Sequence, residues 1–173
     1  MAFVYAILIL LIIICLLVIT YIYYYNSLQD YKTKIDEAES MIDEALRSKY
    51  DLLLKLENLV KANITDTKIN FKNLNELKNE SISNFQLERK LIDTHLLITK
   101  IQDDFPALEE IKEYRDYTND IRVMDERINA AKKFYNKYTS KSNELVRKFP
   151  SNIIAKFHHI SIRNFFDNKD MND

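Results

Sequence analysis

The chain has 173 residues, with 25 basic and 26 acidic side chains, one cysteine, two prolines and no glycine. The near balance of charge excludes a nucleic-acid surface, which needs a concentrated basic face, and a lone cysteine excludes an intramolecular disulfide framework. Without glycine and without alternating apolar runs there is little from which to build hairpin turns, so an all-α chain is expected.

The first element is an uncharged apolar segment. No side chain from Ala2 to Gln29 carries a charge, and a helix from Ala2 to Tyr25 would be about 36 Å long at 1.5 Å per residue, enough to cross a hydrocarbon core of about 30 Å. The run from Ile7 to Ile14 is apolar on every face, and Tyr21, Tyr23, Tyr24 and Tyr25 supply the aromatic collar expected at headgroup level. A basic leader and a small-residue cleavage site are both missing, and the apolar stretch is too long for a signal peptide. The segment therefore reads as a retained, single-pass transmembrane helix, with the lipid bilayer as its partner through residues 2–25. Cys15 follows Ile13 and Ile14 rather than the small residues of a lipoprotein site, and reads as an apolar filler. Lys32 and Lys34 follow the span, so the positive-inside rule favours a cytoplasmic soluble region at the cell membrane.

After the anchor, apolar residues recur at 3,4 spacing: Leu28, Tyr31, Ile35, Ala38, Ile42, Ala45, Lys49, Leu52, Leu56 and Leu59. This is a heptad seam with Lys49 as its one flaw. A short second helix is expected over 64–78, carried by Ile64, Phe71, Leu74 and Leu77. A third is expected to start at Ser83, with Gln86 three residues on in capping-box spacing, to run through Leu87, Leu91, Ile98, Ile101 and Phe105, and to end at Pro106. The last long helix carries Tyr114, Tyr117, Ile121, Met124, Ile128, Ala131, Tyr135, Tyr138, Ser142, Leu145 and Phe149. Two such seams imply long, mutually packed coiled-coil-like helices, and short links make neighbours antiparallel. The expected fold is an N-terminal transmembrane helix followed by an antiparallel up-and-down four-helix bundle with long first and last helices. Its domains are an anchor at 1–26, a bundle at 27–149 and a membrane-proximal tail at 150–173. In the tail, Ile153, Ile154, Phe157, Ile160, Phe165 and Phe166 interleave with Lys156, His158, His159 and Arg163. That mix suits a headgroup layer; the favoured alternative is that Ile153, Ile154 and Phe157 cap the open end of the bundle.

A charge at Lys49 on the seam needs a partner. Counting inward from the ends of the first and last helices sets Lys49 opposite Met124 and Asp125, which points to a Lys49–Asp125 pair that fixes register, with Asp51 and Arg127 as neighbours. Snorkelling of the Lys49 ammonium to water is the alternative. His95 has no carboxylate or histidine at i+3 or i+4, and the adjacent His158 and His159 do not share a helical face, so no metal site is expected. Asn63-Ile64-Thr65 and Asn79-Glu80-Ser81 fit the glycosylation pattern but read as helix-end residues.

Several stretches carry a family likeness. They are Tyr25-Asn26-Ser27-Leu28, Ile35-Asp36-Glu37-Ala38, Ile42-Asp43, Leu46-Arg47-Ser48-Lys49-Tyr50-Asp51-Leu52, Phe105-Pro106-Ala107-Leu108, Arg127-Ile128, Ala131-Lys132, Tyr135-Asn136, Phe149-Pro150-Ser151-Asn152-Ile153-Ile154-Ala155 and Phe157. In this order and spacing the chain resembles the LemA family of small bacterial membrane-anchored helical-bundle proteins, over nearly its whole length. It departs from the family at Leu54 and Lys55, where a proline and an asparagine are usual, at His158 in place of a glycine, and at Ser142 in place of a tyrosine. The resemblance implies the fold, membrane attachment and bacterial origin, and it carries no settled biochemical activity. The structural or interaction candidates are Lys49, Asp51, Asp125, Arg127, Tyr135, Asn136, Phe149, Pro150, Asn152 and Phe157. No catalytic residue, cofactor or small-molecule substrate is expected. The leading function is a non-enzymatic adaptor or scaffold that binds other envelope proteins, and the alternative is a self-associating assembly or signalling element that transmits helix shifts across the membrane.

Overall fold

The computed structural model describes residues 1–64 and 83–166. The elements among them are all helical: α1 (Ala2–Asn63), α2 (Asn84–Asp104), a 3-10 turn (Pro106–Glu110), α3 (Lys112–Arg147) and the short α4 (Ser151–Phe157). From residue 65 on, the short helix expected over 64–78 lies outside the described residues.

Helix α1 runs unbroken for 62 residues, so no joint separates the apolar segment from the heptad-patterned part. No proline or glycine interrupts it, and its hydroxyls fold back onto the helix, with Thr20 Oγ1 donating to the Leu16 carbonyl (2.8 Å) and Ser27 Oγ to that of Tyr23 (2.9 Å). Such a bond back to the carbonyl one turn earlier is how a serine or threonine hydroxyl is satisfied within a helix. Beyond the apolar part, Asp30–Lys34 (2.7 Å) and Asp43–Arg47 (2.8 Å) form i,i+4 pairs on the solvated face. Residues 1–19 are all exposed, and α1 is long and apolar enough there to cross a membrane.

The buried stripe of α1 follows the expected seam through Leu28, Ile35, Ala38, Ile42, Ala45 and Lys49, then leaves it. Leu53, Leu56, Glu57 and Val60 are buried, while Leu52 and Leu59 are only half-buried. A strict heptad assumes 3.5 residues per turn. A straight helix has 3.6 and drifts by about 20° per heptad, so over several heptads the inward face moves one residue along.

Helix α2 starts as its sequence predicts. Ser83 is extended (φ −69°, ψ 156°), its Oγ accepts from the Gln86 N–H at 3.3 Å, and the Gln86 side chain accepts from the Ser83 N–H at 3.3 Å. The helix stops at Phe105, because Pro106 brings no N–H and opens the 3-10 turn instead.

The chain divides into two compact units. The first, Met1–Glu37 with Phe134–Phe165, buries Leu28, Ile154 and Ala155, with Tyr24, Tyr25, Leu145, Val146 and Ile160 packed against them. Its aromatic contacts join α1 to α3: the Tyr31 and Tyr138 rings lie 5.9 Å apart, Lys34 Nζ sits 5.0 Å from the Tyr138 centroid, and Lys141 Nζ 5.8 Å from that of Tyr31. The second, Ala38–Lys133 with Phe166–Asp173, buries Ala38, Ile42, Leu46, Leu53, Leu56 and Val60 of α1 with Leu91, Ile98 and Ile101 of α2, Leu108 of the 3-10 turn, and Tyr114, Ile121 and Ile128 of α3. In that unit Lys132 reaches Glu88 at 3.2 Å, and the Tyr114 hydroxyl donates to Gln102 at 2.9 Å.

The expected capping by the tail holds only for Ile154. It is buried, whereas Ile153, Phe157 and the seam position Phe149 are exposed. The reason is the fixed period of α4: with Ile154 and Ala155 turned inward, residues 153 and 157, one turn apart, share the outward face.

Candidate functional site

Two polar constellations stand out, one in each unit. In the second unit, α1 carries Lys49 to a position where 2 % of the side chain is exposed, and its Nζ donates to Asp125 Oδ1 of α3 at 2.5 Å. The Asp125 side chain is 36 % exposed, so the pair sits at the edge of the core with the carboxylate facing water and the ammonium inside. The other carboxylate oxygen lies 4.0 Å from Nδ1 of His95 on α2. One aspartate thus touches the polar tips of two other helices. Burial, reinforced by the Lys49 ammonium and opposed by Asp125, holds the His95 imidazole below its ordinary range. Asp51 and Arg127, expected as neighbours of the pair, are exposed. Glu57, which the strict seam leaves out, is 2 % exposed and pairs with Lys61 one turn on; the 3.6-residue drift of α1 is the signal that brings it inward.

In the first unit the polar groups bind the tail to α3. The Asn143 side chain clamps the backbone of Arg163 in both directions: Nδ2 donates to its carbonyl at 2.8 Å, and Oδ1 accepts from its N–H at 2.9 Å. The Tyr135 hydroxyl donates to the Asn164 carbonyl at 3.3 Å, and the Arg163 guanidinium reaches Asp36 of α1 at 2.8 Å. Asn136, beside Tyr135, is half-buried on α3.

The Phe149-Pro150-Ser151-Asn152 segment closes the C-terminal end of α3. A helix leaves its last carbonyls without intrahelical donors. The Ser151 hydroxyl, buried, sits 2.7 Å from the Leu145 carbonyl and 2.8 Å from that of Lys148, and the Asn152 N–H donates to Lys148 at 2.8 Å. The Phe149–Pro150 peptide bond is cis. Asn152 Oδ1 is shielded from solvent and has no hydrogen-bond partner among the described residues.

Helix α4 ends in a Schellman motif built without glycine. His159 takes the left-handed conformation (φ 54°), its N–H reaches the Lys156 carbonyl at 3.2 Å, and the Ile160 N–H reaches that of Ala155 at 2.8 Å. His158, just before it, lies against α1: its Nε2 is 2.6 Å from the Tyr21 hydroxyl, and its ring is 4.6 Å from that of Tyr25. A shallow groove nearby is lined by Ser140, Asn143, Glu144, Arg147, Lys148 and Phe165. Among the described residues, no three histidine, cysteine or carboxylate side chains gather closely enough to hold a metal ion.

These side chains can fix helix register, close a helix end and hold an extended segment in place. The sequence reading singles out Lys49, Asp125, Tyr135 and Asn152, but it misses the parts played by His95, Glu57, Asn143 and Arg163. No curated protein and no solved structure matches the chain. A family-wide sequence model, that of the LemA family, matches residues 38–173; the likenesses at Tyr25–Leu28 and Ile35–Glu37 fall ahead of that span. The match takes in α2, α3, α4 and α1 from Ala38 on, and on that coverage the chain belongs to the LemA family.

Proposed function

We propose that this LemA-family chain is a membrane-anchored, non-enzymatic adaptor, held in the bilayer by residues 2–25 and offering its helical faces to another protein of the cell envelope. The observation that carries this reading is the fully exposed apolar stretch 1–19, which continues without a break into a helix whose inward face is packed. An exposed surface of that size costs about 25 cal/mol for each Å² left in water, and a bilayer removes the cost. Against catalysis stands the use of the polar candidates: Lys49, Asp125, Asn143 and Ser151 are each engaged in holding one segment to another.

The helices beyond the anchor are read as an antiparallel up-and-down bundle. In support, Glu88 meets Lys132 while Gln102 meets Tyr114, the order of contacts that an antiparallel α2 and α3 would make in the second unit. In the first unit, Lys34 meets Tyr138 and Tyr31 meets Lys141, with the same sense between α1 and α3. The anchor at 1–26, the bundle at 27–149 and the tail at 150–173 form the working division of the chain, and Lys32 and Lys34 favour a cytoplasmic bundle.

The test uses the full chain in its native membrane. Alkaline carbonate washing should leave it in the pellet; release into the wash would remove the anchor. A photo-crosslinker at the exposed Arg127 should then give adducts with a different protein. Ladders of the chain with itself would replace the adaptor with the self-associating element. Protease shaving of wall-stripped cells carrying a tag after Asp173 fixes the orientation: a tag that survives until the membrane is broken means a cytoplasmic bundle, and loss of the tag from intact cells reverses it.

A further inference from the structure

The tail turns a row of large apolar side chains toward solvent. Phe149, Ile153 and Phe157 are 76 %, 60 % and 73 % exposed, even though the opposite face of α4 packs Ile154 and Ala155 against Leu28 of α1. Ile153 and Phe157 are one turn apart on α4, and Phe149 stands just before it. Isolated exposed apolar residues need no explanation, but three around one short helix mark a contact surface.

Where this row lies follows from the first part of α1, which up to Glu37 belongs to the same unit. The Phe157 ring meets the His158 ring edge-on at 5.2 Å, and His158 is bonded to Tyr21 and packed on Tyr25. From Ala2, Tyr21 is about 30 Å along the helix at 1.5 Å per residue, the thickness of a hydrocarbon core. With residues 2–25 as the anchor, Tyr21 is therefore at the level where acyl chains give way to headgroups, and Phe157 is beside it. Charge points the same way. In a chain of 25 basic and 26 acidic side chains, the stretch from Leu145 to Phe166 holds Arg147, Lys148, Lys156 and Arg163 and no acidic residue. Arg147, Lys148 and Lys156 are exposed, next to the apolar row in sequence, with Lys148 paired to Glu144 one turn back at 3.1 Å. An apolar face edged by cations, at this depth, is the composition of an interfacial helix.

We propose that α4 and Phe149 make a second, shallow contact with the bilayer that α1 enters: Phe149, Ile153 and Phe157 rest at the boundary between headgroups and acyl chains, and Lys156 meets lipid phosphates. The inference rests on the anchor reading. It makes the tail a brace that holds the membrane-near end of α3 against the lipid surface.

The chain contains no tryptophan, so a single introduced one reports its own surroundings. Full-length Phe157→Trp and Ile153→Trp, with Ile12→Trp as the anchor reporter, are reconstituted into vesicles of phosphatidylcholine and phosphatidylglycerol. Some vesicles carry bromines high on the acyl chains and others carry them near the bilayer centre. All the substitutions are at exposed positions, which spares the core. The expected result is loss of emission at position 12 with the deep bromines and at 153 and 157 with the shallow ones. Quenching at 12 combined with quenching of 153 and 157 by aqueous acrylamide alone overturns the inference and leaves the anchor standing. Protection of 153 and 157 from both quenchers means that a protein surface covers them, and overturns it equally. No lipid quenching at position 12 removes the anchor reading and the inference together.

Discussion

The edge-of-core ion pair makes an asymmetric prediction. Removing one partner of a buried pair costs about 3–5 kcal/mol when the other charge is left buried without compensation, whereas replacing both ions with apolar side chains of like size is often neutral. Here the two ends are not equivalent: Lys49 is 2 % exposed and Asp125 is 36 % exposed. Asp125→Ala strands the ammonium inside, and because water partly screens the pair the loss should lie at the low end, about 3 kcal/mol. For a chain of this length that corresponds to a fall of about 6–12 °C in melting temperature. Lys49→Met leaves a carboxylate that water already solvates and fills the same space with apolar atoms, so its change should stay within about 1 kcal/mol, or about 4 °C. Thermal unfolding of the full chain in detergent, followed by helical circular dichroism, measures both. In the double variant the cost of Asp125→Ala should largely vanish, since no ammonium is left to strand. Equal losses for the two single variants, or silence in both, would refute the assignment of the pair as a one-sided lock on helix register.

His95 is held below its ordinary pKa by burial and by Lys49, so the unfolded chain takes up its proton first as pH falls. Its contribution to stability should be complete above pH 6.5 and be lost as pH drops from there through the lower folded value; His95→Gln should flatten that part of the pH–melting curve while leaving the carboxylate-driven fall at lower pH. Asn143→Ala removes both bonds to the Arg163 backbone, and at about 1–3 kcal/mol for unpaired groups in a partly buried site it should speed amide exchange at Arg163 by about ten- to a hundredfold without unfolding α3. His159, in the left-handed region, carries a strain of about 1–2 kcal/mol that glycine lacks, partly offset by glycine's larger loss of chain entropy. His159→Gly should therefore hold or raise the melting temperature, and His159→Val should lower it.

What could be read from the sequence was what depends on neighbours in the chain. Ser83 and Gln86 announce the start of α2 because both ends of the capping box lie within one turn. The seam from Leu28 to Lys49 is legible for the same reason, and from it the meeting of Lys49 with Asp125 follows by counting residues along two helices. The count fails past Lys49, where the true helical period turns Leu53 and Val60 inward in place of Leu52 and Leu59 and brings Glu57 with them. The Asn143–Arg163 clamp was out of reach: it joins a side chain to backbone groups twenty positions away, and a backbone carbonyl has no sequence signature. In the sequence, His158 and His159 show only that they do not share a helical face. The contact of His158 with Tyr21 and the left-handed turn at His159 depend on where α4 returns against α1.

The same distinction separates the polar from the apolar parts of one stretch of the family likeness. In Phe149-Pro150-Ser151-Asn152 the polar parts are directed at α3: the Ser151 hydroxyl and the Asn152 N–H take up carbonyls that the end of the helix would otherwise leave unpaired. Ser151 is buried, and its hydroxyl directs its one proton at the Leu145 and Lys148 carbonyls. The apolar parts do the opposite. Phe149 is exposed where a packed helix end would bury it, and so are Ile153 and Phe157 one and two turns further on. A segment that spends its hydrogen-bonding groups on closing a helix and its large apolar groups on the outside is built to present a surface. On the reading of residues 2–25 as an anchor, the first surface it meets is the membrane.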